Sequence, residues 1–219
     1  SRGGDSGSAA AGDSDSDSRG RGQRPGLQIA PADSFAPESL RLAAAHWAEL
    51  STIYPEMTAP PFPPRDIVGD RAVLLVASLG EEAVGCGAIR PFPEDPAEVA
   101  EIKRMYVAPE VRRTGVARKI LRALEEWALA HGYRIARLET GQRQTGAIRL
   151  YATAGYFPIP PYGHHREDPL SACFRKPLPG AAHRPGCTVF PESIGAIRSD
   201  QIPGNLVAFM RDPRTSPPT

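Results

Sequence analysis

The residues best suited to chemistry lie in one run. It reads Glu101-Ile102-Lys103-Arg104-Met105-Tyr106-Val107, then Ala108-Pro109-Glu110-Val111, then Arg112-Arg113-Thr114-Gly115-Val116-Ala117-Arg118-Lys119. A strand-like segment ends, a short loop follows, and a helix begins. Gly115 and Ala117 fall in the first helical turn, where small side chains leave the unpaired backbone N–H groups open. Those donors and the positive end of the helix dipole suit an anion such as phosphate. Arg112, Arg113, Arg118 and Lys119 add positive charge, and guanidinium binds phosphate in a bidentate manner. The Gly-x-x-x-x-Gly-Lys-Ser/Thr spacing of a nucleotide loop is absent, as are the further glycines of a dinucleotide fingerprint. The competing reading is a basic, solvated helix start.

These residues need elements to hold them. Leu27-Gln28-Ile29-Ala30 reads as a short strand. Pro37-Glu38-Ser39 opens a helix with an apolar stripe of Leu40, Ala43, Ala44, Trp47 and Leu50. Ala72 to Ser78 and Ala83 to Arg90 form a hairpin about Leu79-Gly80-Glu81-Glu82, and Glu101 to Val107 is a third strand. Val116, Ile120, Leu121, Leu124, Trp127 and Ala128 mark a second helix, ended by His131-Gly132. Ile135 to Leu138 is a strand, Thr145 to Ala154 a helix ending at Gly155, and Ser171 to Lys176 a last strand. The expected order is β-α-β-β-β-α-β-α-β, a mixed α/β sheet covered by helices.

Arg112-x-x-Gly115-x-Ala117 resembles the Gln/Arg-x-x-Gly-x-Gly/Ala signature of the GNAT superfamily of N-acetyltransferases. The run Thr140-Gly141-Gln142-Arg143-Gln144-Thr145-Gly146-Ala147-Ile148-Arg149-Leu150-Tyr151-Ala152-Thr153-Ala154-Gly155-Tyr156 is similar to that superfamily's second conserved region. The resemblance covers roughly residues 27 to 178. It implies a GNAT fold: a mixed, mostly antiparallel sheet whose central strand pair splays apart, flanked by helices. It further implies that backbone groups of Met105, Tyr106 and Val107 pair with the pantetheine arm of acetyl-CoA, as an added strand would. Amides around Arg112, Arg113, Thr114, Gly115, Val116 and Ala117 would take the pyrophosphate, with Arg118 or Lys119 near the adenosine phosphate. Gln144 and Thr145 stand where many members carry Asn, so no Asn-type cofactor contact is assigned.

The implied reaction is acetyl transfer from acetyl-CoA to a primary amine by direct attack in a ternary complex. An alkyl ammonium with a pKa near ~10.4 is neutral only about one part in 2,500 at pH 7, so a proton must be removed. Glu101 matches a position where some members carry a general-base carboxylate, and the alternative is an ordinary exposed acid at a strand start. Tyr151 matches the hydroxyl that serves the departing sulfur. Its phenol, near ~10 against a thiol's ~8.5, can protonate a forming thiolate. Its alternative is a half-buried aromatic packed with Ala147, Leu150 and Ala154.

Composition sets the frame. At 219 residues, 41% hydrophobic and 23% charged, the chain suffices for one domain with a real core. Residues 25–178 are expected to form it. Residues 1–24, with Asp13-Ser14-Asp15-Ser16-Asp17-Ser18, read as a disordered tail, and residues 179–219 as a Pro/Gly/Arg-rich extension of unknown role. A net charge of +1, with acids interleaved among the arginines, argues against nucleic-acid or membrane-surface binding. The longest apolar runs fall short of a membrane span, and no leader is visible. Three cysteines without a close pair make a disulfide framework or zinc site unexpected and point to a reducing, cytoplasmic setting. His164, His165 and Asp168 read as a polar loop near the substrate mouth and no metal is expected. Cys173 reads as a small hydrophobe of the last strand. Tyr156-Phe157-Pro158-Ile159-Pro160-Pro161-Tyr162 reads equally as a wall of the acceptor site or as a core-filling loop. The expected partner is a small-molecule or peptide amine acceptor of open identity, a homodimer is compatible with the sequence, and a non-catalytic CoA-binding GNAT-like regulatory module is the alternative function.

Overall fold

The computed structural model describes residues 26–57 and 64–179. The expected tail at 1–24, nearly all of the extension at 179–219, and Cys187 lie outside the described residues. The elements are β1 (Leu27–Ala32), α1 (Pro37–Ile53), β2 (Val73–Leu79), β3 (Glu82–Phe92), β4 (Asp95–Val107), α2 (Val116–Ala130), β5 (Ile135–Gly141), α3 (Thr145–Thr153), β6 (Phe157–Ile159) and β7 (Ser171–Pro177). They form a seven-stranded sheet in the order β1-β2-β3-β4-β5-β7-β6. Only β4 and β5 run parallel, joined by the α2 crossover, and every other pairing is antiparallel.

The sequence pattern is corrected in three places. β4 begins at Asp95 rather than Glu101, because β3 and β4 continue past Arg90 as one long hairpin, pairing Pro91 with Ala100 and Phe92 with Asp95. Glu101 is therefore a mid-strand residue. β6 is an additional strand of three residues on the sheet edge, where Pro158 is tolerated. In α1 the buried residues are Ser39, Leu42 and Leu50, while Leu40 of the expected stripe is 42% exposed. An alanine-rich helix offers too little contrast to fix its face from sequence.

Helices cover both faces. Under α2 and α3, Leu75, Ile89, Ile102, Ile120, Leu124 and Phe174 belong to the main core. Under α1, Leu42 packs with Leu74, Val76, Ala88 and Tyr106. The period of α2 is legible in this packing, since Val116, Ile120, Leu121, Leu124 and Ala128 are all buried.

Candidate active site

The site begins where two parallel strands part. β4 and β5 stay in register only from Val99–Ile135 to Ile102–Leu138. Beyond that, β5 continues to Gly141 against β7, while β4 continues to Val107 against β3. A bulge accompanies the separation: between the pairs Cys86–Tyr106 and Ala88–Lys103, two residues of β4 oppose the single Gly87 of β3. Arg104 takes the extra turn with φ of 57°. Such a bulge bends its strand and resets which side chains face each side. Met105, Tyr106 and Val107 therefore run along the split with no β5 partner, as the resemblance implied. Tyr106 turns to the α1 side, its ring stacked 5.3 Å from His46, and Met105 packs on the α2 side.

At the end of β4 the chain turns through Pro109–Val111 into α2. Gly115, the N-cap, has φ of 89°, and no side chain among the described residues caps the helix. The first turn carries no acid, and a Cβ placed on Gly115 would meet nothing within 4 Å. Among the described residues, the amide-lined start of α2 is thus neither plugged nor neutralised by a carboxylate, an arrangement compatible with a diphosphate. Arg113, Thr114 and Gly115 are exposed there, with Arg113 also left-handed at φ of 65°. Val116 is buried, and Ala117 is half-buried against the core.

Two arginines of this segment make contacts within the chain. Arg112 donates its amide to the Pro109 carbonyl at 3.3 Å and its Nε to the Val107 carbonyl at 2.9 Å, and its guanidinium pairs with Glu49 of α1. It braces the loop rather than pointing into the cradle. Arg118 reaches across to α3, donating to Thr153 Oγ1 at 2.7 Å.

Tyr151 lies on α3 in the core, edge-on to Tyr156 at 5.8 Å and near Phe174 at 6.2 Å. Burial, with Glu139 nearby, pushes its phenol well above the usual range, so the hydroxyl keeps its proton. Glu101 is not the exposed acid of the alternative reading, being only 3% exposed. Lys103 Nζ lies 2.8 Å from one carboxylate oxygen, Arg90 holds the other at 2.9 Å, and Tyr162 Oη donates at 3.3 Å. Burial alone would raise its pKa, but Lys103 and Arg90 outweigh that and lower it. In the aromatic-proline segment Tyr162 is buried against Glu101, while Tyr156 is buried in the main core.

Sequence reasoning missed a second carboxylate. Glu139 of β5 faces the same side of the split as Glu101 and Lys103, and its side chain is 17% exposed. Burial is the main cause raising its pKa, opposed by Lys103 and by the hydrogen bond from Ser171. Ser171 Oγ lies 2.9 Å from Glu139 Oε1, 3.0 Å from Asp168 Oδ2 and 3.2 Å from His165 Nδ1. His165 sits on a turn (Gly163–His165) with the His164 ring 3.8 Å away, and burial lowers its pKa to about 4. Alternation after Ala136 and Leu138 could have flagged Glu139, but no local spacing links it to Ser171. Cys173 is buried beside Tyr162 and Phe92 as a small apolar residue, its thiol pushed up to about 12 by burial.

Comparison with known proteins agrees with this geometry. The model of the Acetyltransferase (GNAT) family matches residues 41–156. An "IAA acetyltransferase" of Azospirillum brasilense is 39% identical over 104 residues, covering 48% of this chain and 67% of that protein. An "Aminoglycoside N(6')-acetyltransferase type 1" of Klebsiella aerogenes is 31% identical over 111 residues, covering 49% and 67%. A Klebsiella pneumoniae structure described as an acyl-CoA N-acyltransferase superposes with a TM-score of 0.58 at 33% identity, covering 69% of this chain and 97% of that one. The chain belongs to the GNAT acetyltransferase family, whose members draw on acetyl-CoA.

Proposed function

We propose that this chain transfers an acetyl group from acetyl-CoA to a primary amine by direct attack within a ternary complex. The observation that carries this reading is the uncapped, acid-free start of α2 lying at the end of the split β4 edge. The amides of Arg113 to Ala117 would hold the diphosphate, and the free edge of Met105 to Val107 would align the pantetheine arm. Bound acetyl-CoA supplies an activated thioester; this chain's residues supply position and proton control. Tyr151, protonated and buried, serves as donor to the departing sulfur. Glu101, held ionised by Arg90 and Lys103, contributes fixed negative charge on the acceptor side of the split.

Loss of a proton from the ammonium is the demanding step, because the reactive amine is about one part in 2,500 at pH 7. Support for an enzyme rather than a silent cofactor binder comes from carboxylates gathered on the face of the split away from α2. The test is a thiol-release assay with acetyl-CoA over amine classes: spermidine, kanamycin, glycine and a lysine peptide. Release dependent on an added amine is the expected result. Tight acetyl-CoA binding by calorimetry with no release from any amine would contradict the catalytic reading.

A further inference from the structure

Glu139, Ser171, His165 and Asp168 form a hydrogen-bonded group that the acetyl-transfer reading leaves unassigned. Its proton count is restrictive. Ser171 Oγ carries one hydrogen and has three neighbours within reach: Glu139 Oε1, Asp168 Oδ2 and His165 Nδ1. When the hydroxyl donates to either carboxylate, His165 must carry its proton on Nδ1 and donate to Ser171. The lone pair of His165 then sits on Nε2. That atom is buried, has no hydrogen-bond partner among the described residues, and lies 3.8 Å from Glu139 Oε2. A buried acceptor atom facing a carboxylate oxygen calls for a donor with at least two N–H groups. An ammonium nitrogen about 2.8 Å from each atom satisfies that spacing.

We infer that Glu139 Oε2 and His165 Nε2 seat the acceptor's ammonium, that Glu139 takes the proton it sheds, and that Ser171, held by Asp168 and His165, positions the Glu139 carboxylate. This rests on the acetyl-transfer reading and names the proton acceptor within it. Glu139 is suited where Glu101 is not: its side chain is 17% exposed against 3%, so an incoming amine can touch it. Glu101 is also saturated by Arg90, Lys103 and Tyr162. Asp168 is exposed, and its other oxygen accepts from the Leu170 amide at 2.8 Å, which fixes Oδ2 toward Ser171.

The step balances without any change of oxidation state. An N–H bond of the ammonium breaks and an O–H bond forms on Glu139, leaving a neutral amine to attack. The proton on Oε2 then leaves to water across the exposed part of the Glu139 side chain, while Ser171, hydrogen-bonded to Oε1, keeps its own proton. Ser171 ends as a hydroxyl and Glu139 as a carboxylate. The charged and titratable groups around Glu139 and His165 include Lys103 and Glu101 from β4, His164, His165 and Asp168 from the loop before β7, Tyr162, Tyr54 past the end of α1, Tyr151 of α3 and Cys173 of β7. Ser171 touches no reacting atom and acts as a positioning residue.

The experiment compares Glu139→Gln, Ser171→Ala and Ser171→Thr with the native chain, using whichever amine of the panel gives the fastest thiol release. Glu139→Gln is expected to lower kcat/KM for the amine by at least about 100-fold near neutrality, with unchanged KM for acetyl-CoA. Ser171→Ala removes a hydrogen bond that favours the Glu139 carboxylate, so the acid limb of the kcat/KM profile moves to higher pH, and Ser171→Thr restores it. In the protein alone, infrared difference spectra should contain a carboxyl component titrating above the usual carboxylate range that Glu139→Gln abolishes and Ser171→Ala moves to higher pH. Amine-dependent release that Glu139→Gln leaves within about threefold, or an acid limb unmoved in a folded Ser171→Ala variant, overturns the path alone. No release by the native chain with any amine overturns the acetyl-transfer reading, and this path with it.

Discussion

The ring of Tyr54, just past the end of α1, occupies the space that a side chain on Gly141, at the end of β5, would need. The Tyr54 hydroxyl also accepts the Arg143 amide at 2.9 Å, and Arg143 pairs back to Glu56 at 3.0 Å. The contact locks α1 to the β5–α3 corner, so the far wall of the split is set by packing. Gly141→Ala would force hydroxyl and ring carbons aside and is expected to destabilise the fold by about 1–3 kcal/mol. Tyr54→Ala in the same chain should recover part of that loss, giving a non-additive cycle in urea denaturation. Simple additivity would mean the two do not share the space.

Tyr151→Phe should leave the core intact, because the ring keeps its contacts with Tyr156 and Phe174. Stability is expected to change by less than about 1.5 kcal/mol, whereas kcat should fall by about 100-fold with little change in acetyl-CoA affinity. Steady-state kinetics beside calorimetry separate the two. An unchanged kcat would remove the hydroxyl from the chemistry.

Stability should fall as the solution is acidified. His46 and His165 are both held neutral, with pKa values lowered from 6.5 to about 4, chiefly by burial. Between those values the unfolded chain binds more protons than the folded one, so each histidine makes unfolding easier as pH drops from about 6.5 toward 4, by at most about 1.4 kcal/mol per pH unit. Glu101 acts in the same sense lower down, its ion pairs being lost as pH falls below the usual carboxylate range. Glu139 works oppositely, since its raised pKa lets the folded state keep a proton above that range, so its contribution falls as pH rises there. Urea midpoints measured across this range should decline toward acid, and more shallowly in His165→Asn.

The strand, loop and helix start proposed to hold the cofactor were legible in sequence because they are local, lying within residues 101–119. The carboxylate cluster on the other face of the split was not. Lys103, Glu139 and Ser171 come from three different strands, brought together by the order β4-β5-β7, which no spacing along the chain expresses. Glu101 shows the same limit, since its type and position were readable but Arg90, Lys103 and Tyr162 around it were not. Fold errors also have physical causes. Pro91 and Pro96 make the distal β3–β4 hairpin look like loop, and Pro158 does the same for edge strand β6.

The most direct test of the central claim is an amide-resolved titration of the folded protein with acetyl-CoA, following backbone 1H–15N shifts. The account predicts saturable shifts concentrated at Arg113 to Ala117 and along Met105 to Val107. Gly115→Val, which adds bulk in a left-handed position at the open cradle, should abolish the first group. Saturation with the amides at the start of α2 unmoved, or no binding at millimolar acetyl-CoA, would contradict it.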